Sequence, residues 1–170
     1  MHARSSPTPS PRFVTVLLLL ASGAVVGAAL LFQYAGGFAP CELCLYERWP
    51  YYAVVVVSMI GLSSGNASAM RALVALCGLI FLAGAGLSFY HVGVEQHWFA
   101  GPSACTGSAG GADTIEALKA QLMKLQPVKC DEPAWTLFGI SLAGFNLLAS
   151  LLLLAFCLAA WRRLGRRRLR

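Results

Sequence analysis

The chain has 170 residues, of which 58% are hydrophobic and 12% charged, with a formal net charge of +6. That is more apolar surface than one soluble core of this length can bury, so the composition excludes an ordinary soluble domain and identifies an integral membrane protein. The positive charge does not point to nucleic acid, because six of the basic residues crowd into a tail after the last apolar run, where they set topology and meet anionic lipid.

In chain order, four apolar segments read as membrane spans, at about 13–34, 45–62, 71–90 and 135–161, within a single membrane domain covering 1–170. At about 1.5 Å per residue, the first, third and fourth are long enough for a hydrocarbon core of ~30 Å. The second is short and spans only if its helix starts near Cys44. The first run, of about 20 residues, is longer than the ~7–15 residues of a signal peptide's apolar region, which favours a retained span. It carries Gly23 and Gly27, a small-xxx-small spacing that permits close helix approach and is also common in membrane helices generally. Trp49, Tyr51 and Tyr52 at the head of the second span, and Trp135 and Trp161 around the fourth, read as interfacial anchors. Residues 63–70 form a short polar turn.

Nine of the 13 Lys and Arg fall on one side of a four-span topology: Arg4, Arg12, Arg71 and the six of the tail. The positive-inside rule therefore predicts that both termini are cytoplasmic and that the loops at about 35–48 and 91–134 face outward. The second outer loop divides in two. Gly101 to Gly111 has turn-forming composition around Cys105. Beyond it, Asp113-Thr114-Ile115-Glu116 resembles a capping box, and Ile115, Leu118, Leu122 and Leu125 recur at helical spacing opposite Lys119 and Lys124. This predicts a short amphipathic helix lying on the bilayer, ended by Pro127 and followed by Cys130.

The six cysteines fall into two groups. Cys77 and Cys157 lie inside spans, where a thiol acts as a small apolar residue. Cys41, Cys44, Cys105 and Cys130 all belong to the outer loops, which in a bacterium meet an oxidising compartment. The Cys41-x-x-Cys44 loop is too short for its disulfide to stabilise much through chain entropy and is well suited to redox cycling. A guanidinium at Arg48 is positioned to lower the Cys44 pKa and to hydrogen-bond an acceptor's oxygen; the alternative is an interfacial arginine paired with Glu47. Thiols alone cannot discharge electrons, and in a bilayer a lipid-soluble quinone is the natural sink. His91, at the outer end of the third span, is positioned to assist proton transfer to it; a metal site made with Glu95 and His97 is the competing reading. Four outer thiolates holding zinc is another, weakened because Cys105 and Cys130 are 25 positions apart rather than closely paired. Haem attachment is excluded by Leu45, which stands where Cys-x-x-Cys-His requires histidine.

Cys41-x-x-Cys44-x-x-Glu47-Arg48 at the head of the second span, Cys105 with Cys130 in the second outer loop, and Gly139-Ile140-Ser141-Leu142-Ala143-Gly144-Phe145-Asn146 entering the fourth span resemble the DsbB family of quinone-dependent disulfide bond formation proteins. The resemblance implies an all-α membrane protein of the bacterial inner membrane, a four-transmembrane-helix bundle with a short amphipathic interfacial helix in the second periplasmic loop. It implies catalytic Cys41, Cys44, Cys105 and Cys130, with Cys105 attacked by the partner and Cys130 its disulfide mate. It further implies a quinone, ubiquinone or menaquinone, touched by Cys44, and a DsbA-like periplasmic thioredoxin-fold partner; Arg48 and His91 are the other expected quinone contacts, and no metal or nucleic acid is expected. Two alternatives are a vitamin K epoxide reductase-like thiol and quinone oxidoreductase, and a non-catalytic zinc-binding membrane protein.

Overall fold

A computed structural model describes residues 10–102, 115 and 129–166. Cys105 and, Ile115 apart, the segment expected to form the amphipathic helix lie outside these residues. The described chain is mostly helical: α1 (Pro11–Tyr34), α2 (Glu42–Tyr46), α3 (Trp49–Ser64), α4 (Ala67–Glu95), a hairpin of β1 (Thr136–Leu137) and β2 (Ile140–Ser141), and α5 (Leu142–Arg166).

The helix ends follow from local chemistry. The Ser10 side chain accepts the Phe13 N–H and Pro11 occupies the first turn of α1, where its missing donor is not needed. Gly65, at φ +63°, ends α3, and the Asn66 side chain accepts the Ser68 and Ala69 amides to start α4. Two residues thus turn the chain between antiparallel helices, inside the polar segment 63–70 that the sequence marks as a turn.

Among the described residues, α1, α4 and α5 are long and apolar enough to cross a membrane. α3 has 16 residues, about 24 Å at ~1.5 Å per residue, which is short of a full crossing. The expected span at 45–62 is two helices rather than one, because the chain turns at Glu47 and Arg48 between α2 and α3. The expected start of the fourth span near 135 moves to Leu142: Thr136 pairs with Ser141 and Leu137 with Ile140 around a turn at Phe138 and Gly139. Both turn residues have positive φ, 52° and 78°, as a tight hairpin turn requires. The described chain is therefore helical with one small hairpin rather than wholly α.

α4 packs most extensively on α5, while α3 packs against both α1 and α4. Val14 and Leu18 of α1, Val54 of α3, Phe81 of α4 and Ala160 of α5 meet in the main core, with Cys77 and Cys157 buried among them. These two cysteines are free thiols. Close helix approach occurs away from the expected glycines. A Cβ on Gly23 or Gly27 would meet nothing within 4 Å, whereas one on Gly84 would come to 3.2 Å from the Pro50 ring and one on Gly61 to 3.2 Å from Leu73, so these two glycines let α3 and α4 approach. Inside the bundle, Tyr51 Oη donates to Asn146 Oδ1 at 2.6 Å and lies 2.9 Å from Ser150 Oγ, and Asn146 Nδ2 donates to Ser88 Oγ at 2.9 Å. Three helices are tied by polar groups that pair with one another inside an apolar environment.

Candidate redox site

The site is organised by how α2 begins. Cys41 is the N-cap of α2 and its sulfur accepts the Cys44 N–H at 3.2 Å, so Cys-x-x-Cys spacing is also the spacing from a cap to the third helical residue. This brings the two sulfurs to 2.7 Å, inside van der Waals contact, with both cysteines as free thiols. The hydrogen bond between them dominates their acidity. It lowers the Cys41 pKa and raises that of Cys44 above the ordinary thiol range, with burial adding to the rise at Cys44. In the reduced pair this hydrogen bond favours a thiolate on Cys41 over one on Cys44, whereas the nearness of Arg48 along the chain favours Cys44.

Cys41 is buried and faces α4. Its sulfur is 3.6 Å from His91 Nε2, and the other ring nitrogen, Nδ1, lies 3.0 Å from Glu47 Oε1. His91 and Glu47 are 2% and 6% exposed, so the pair is shielded from competing water. Glu47 is turned to His91 rather than to Arg48. Arg48 instead donates from Nη1 to Gln33 Oε1 of α1 at 2.7 Å, and its side chain makes no other hydrogen bond among the described residues. His97, with φ 58°, is exposed, and Glu95 accepts a hydrogen bond from Ser141 at the head of α5; the grouping of His91, Glu95 and His97 in the competing metal reading is not assembled.

Beside α2 opens a cavity of about 400 Å³. Phe32, Trp135 and Phe145 form an aromatic wall, with Phe32 and Trp135 edge to face at 5.2 Å, and Val25 and Val26 extend it toward the membrane interior. Gln33, Cys44, Glu47, Arg48, Tyr51 and Asn146 supply its polar lining. An apolar cleft of this size with a few convergent polar groups fits a small planar ligand bearing polar oxygens. Cys41 and His91 are not on its wall, so His91 stands behind the cysteine pair instead of at the cavity where the sequence reading puts it.

Cys130 is disulfide-bonded and 1% exposed. It packs in one small apolar cluster with Cys41, Leu43 and Val94. Cys105, the mate the resemblance implies for it, lies outside the described residues.

Four contributors were not legible as such in the sequence: Glu47 as partner of His91, Gln33, Tyr51 and Asn146. Tyr51 reads as an interfacial anchor beside Trp49 and Tyr52, yet it is 1% exposed while they are 66% and 39% exposed. The available signal was polarity out of place: Asn146 and Ser150, four apart in an apolar helix, share a face that must find polar partners.

The chain matches the family model described as Disulfide bond formation protein DsbB over residues 11–160. It is 32% identical over 161 residues to disulfide bond formation protein B of Methylococcus capsulatus, covering 90% of this chain and 95% of that one. With the protein of the same name from Haemophilus influenzae strain 86-028NP it shares 30% identity over 136 residues, 77% and 75% of the two chains. An uncharacterized protein of Rickettsia prowazekii is 28% identical over 148 residues, 85% and 84% of the two chains. No solved structure matches it.

Proposed function

The chain belongs to the DsbB family of disulfide bond formation proteins, and on that premise we propose that it is a protein-disulfide:quinone oxidoreductase that reoxidises a DsbA-like periplasmic dithiol protein. The observation that carries this reading is that the dithiol bridges two surroundings: Cys44 borders the cavity with Arg48, and Cys41, off the cavity wall, shares a buried cluster with Cys130 against which Cys44 also packs. One cysteine thus borders an acceptor site and the other shares a buried cluster with Cys130.

The exchange steps then balance. A thiolate of the partner attacks Cys105 of a Cys105–Cys130 disulfide and releases the Cys130 thiolate. Cys130 attacks Cys41 of an oxidised Cys41–Cys44 pair, forming a Cys41–Cys130 bond and freeing Cys44. The partner's second thiol resolves its mixed disulfide, and the released Cys105 attacks Cys130, re-forming the second-loop disulfide and freeing Cys41. The partner has lost two electrons and two protons, and the Cys41–Cys44 pair has gained them.

A bound quinone supplies the two-electron, two-proton acceptor that empties this pair. Arg48 and Asn146 are the residues that would hold its oxygens, the guanidinium stabilising negative charge. His91 Nε2 accepts the Cys41 proton, and the Glu47 carboxylate on Nδ1 orients the ring and stabilises the imidazolium. Since Glu47 also borders the cavity, a proton leaving Cys41 has a path of two side chains toward the acceptor.

In this reading the loops holding the four outer cysteines are periplasmic, both termini are cytoplasmic, and α3 completes a four-helix bundle in the inner membrane. The test mixes purified protein, quinone and a reduced thioredoxin-fold partner and follows quinone absorbance. Quinone reduction that requires both partner and protein is expected. Turnover that persists in Cys44→Ala removes the proposal.

A further inference from the structure

We propose that the reduced Cys41–Cys44 pair and His91 form a redox-gated site for a borderline-soft divalent cation such as zinc, and that its occupation halts the electron relay. The inference deepens the functional reading, assigning a regulator to the same cysteines, and its inhibitory half rests on that reading.

The ligand atoms are already gathered. Cys41 Sγ, Cys44 Sγ and His91 Nε2 all lie within 4.8 Å of one another. With Zn–S of about 2.3 Å and Zn–N of about 2.0–2.1 Å, tetrahedral angles require sulfur and nitrogen about 3.6 Å apart; Cys41 Sγ and His91 Nε2 are 3.6 Å apart. Cys-x-x-Cys is a spacing that zinc sites use, because two thiolates near one helical turn converge on one ion. The sulfur separation of 2.7 Å must widen, by about 1 Å to reach the tetrahedral value of about 3.8 Å. Cys44 has room to supply this, being half-buried and facing the cavity.

The support around the ligands is also that of a metal site. A metal-binding histidine almost always donates its second N–H to a carboxylate or carbonyl, which fixes the tautomer and aims the free lone pair at the ion. Glu47 Oε1, buried and 3.0 Å from Nδ1, supplies that partner and leaves Nε2 free toward Cys41. Two thiolates neutralise a divalent cation, so a buried neutral site results. The fourth position falls to water. Binding releases the two thiol protons and moves no electrons. The disulfide form offers no thiolate, so only the reduced protein binds.

The full chain is reduced with a phosphine, freed of it anaerobically, and titrated with Zn²⁺ against a chromophoric chelator and with Cd²⁺ by thiolate-to-metal absorbance. One equivalent is expected in the reduced protein and none in the oxidised protein. Glu47→Gln should weaken binding by ~10–100-fold and His91→Ala by at least as much, while Cys105→Ser/Cys130→Ser should retain it. Zinc should stop quinone reduction, and chelator should restore it. Binding that depends on Cys105 and Cys130 but not on His91, or reduced protein that binds no tighter than Cys41→Ser, overturns the site. Because binding is read without turnover, a protein that binds zinc yet never reduces quinone refutes the functional reading and leaves the site standing.

Discussion

Arg48 offers the sharpest test of the acceptor cavity. Its guanidinium is half-buried on the cavity wall and spends one donor on Gln33 Oε1 at 2.7 Å, which holds it in place and leaves the rest of the planar fork for a ligand. Truncation in Arg48→Ala removes a charge-assisted hydrogen bond worth about 1.5–3 kcal/mol. At ~1.36 kcal/mol per tenfold, that is about a 10- to 150-fold fall in kcat/KM for quinone. The cost to folding is small, since only the half-buried Gln33 loses its partner, roughly 1 kcal/mol. Arg48→Lys keeps charge but cannot serve Gln33 and a ligand together, so it should recover only part. Gln33→Ala leaves the guanidinium intact but unpinned and should raise KM by a few-fold (~3–10), a milder loss than Arg48→Ala because only orientation is forfeited. The assay is steady-state reduction of a short-chain quinone at saturating reduced partner, with each variant's expression and thermal stability measured alongside. A well-folded Arg48→Ala with wild-type quinone dependence would refute the reasoning and reduce Arg48 to an interfacial anchor.

In a Cys105→Ser/Cys130→Ser background, thiolate absorbance of the reduced pair should titrate below the ordinary thiol range, since the Cys44 hydrogen bond favours the Cys41 thiolate; that thiolate is lost as pH falls through the lowered pKa. Cys44→Ala removes the bond and should move the step upward, and an unmoved midpoint would show that the pair is not coupled. Cys77→Ala and Cys157→Ala should keep turnover, losing only about 1 kcal/mol of stability each for a buried sulfur; abolished turnover in either would place it in the relay. Gly84→Leu should destabilise the bundle by wedging α4 from Pro50, whereas Gly27→Ala should be neutral, as thermal unfolding of the two in detergent would report. A periplasm-dependent reporter should be inactive after Arg170 and active near Gly110, and the reverse pattern would remove the oxidising compartment from the mechanism.

The sequence by itself determined membrane character, the separation of two core cysteines from four loop cysteines, and the family, because hydropathy is a sum over residues and Cys-x-x-Cys is a local motif. It also held the α3–α4 turn, whose glycine and asparagine act on their immediate neighbours. Tertiary structure decided what distant residues do to one another. Glu47 and Arg48 are adjacent in sequence, yet one turns to His91 of α4 and the other to Gln33 of α1. No periodicity reveals that, since the partners lie on helices distant in sequence and the chain turns between α2 and α3. Likewise, proximity along the chain assigned the thiolate to Cys44 through Arg48. The fold favours Cys41, because its capping sulfur accepts the Cys44 amide N–H and shares a hydrogen bond with the Cys44 sulfur at contact distance, whereas the guanidinium is engaged by Gln33.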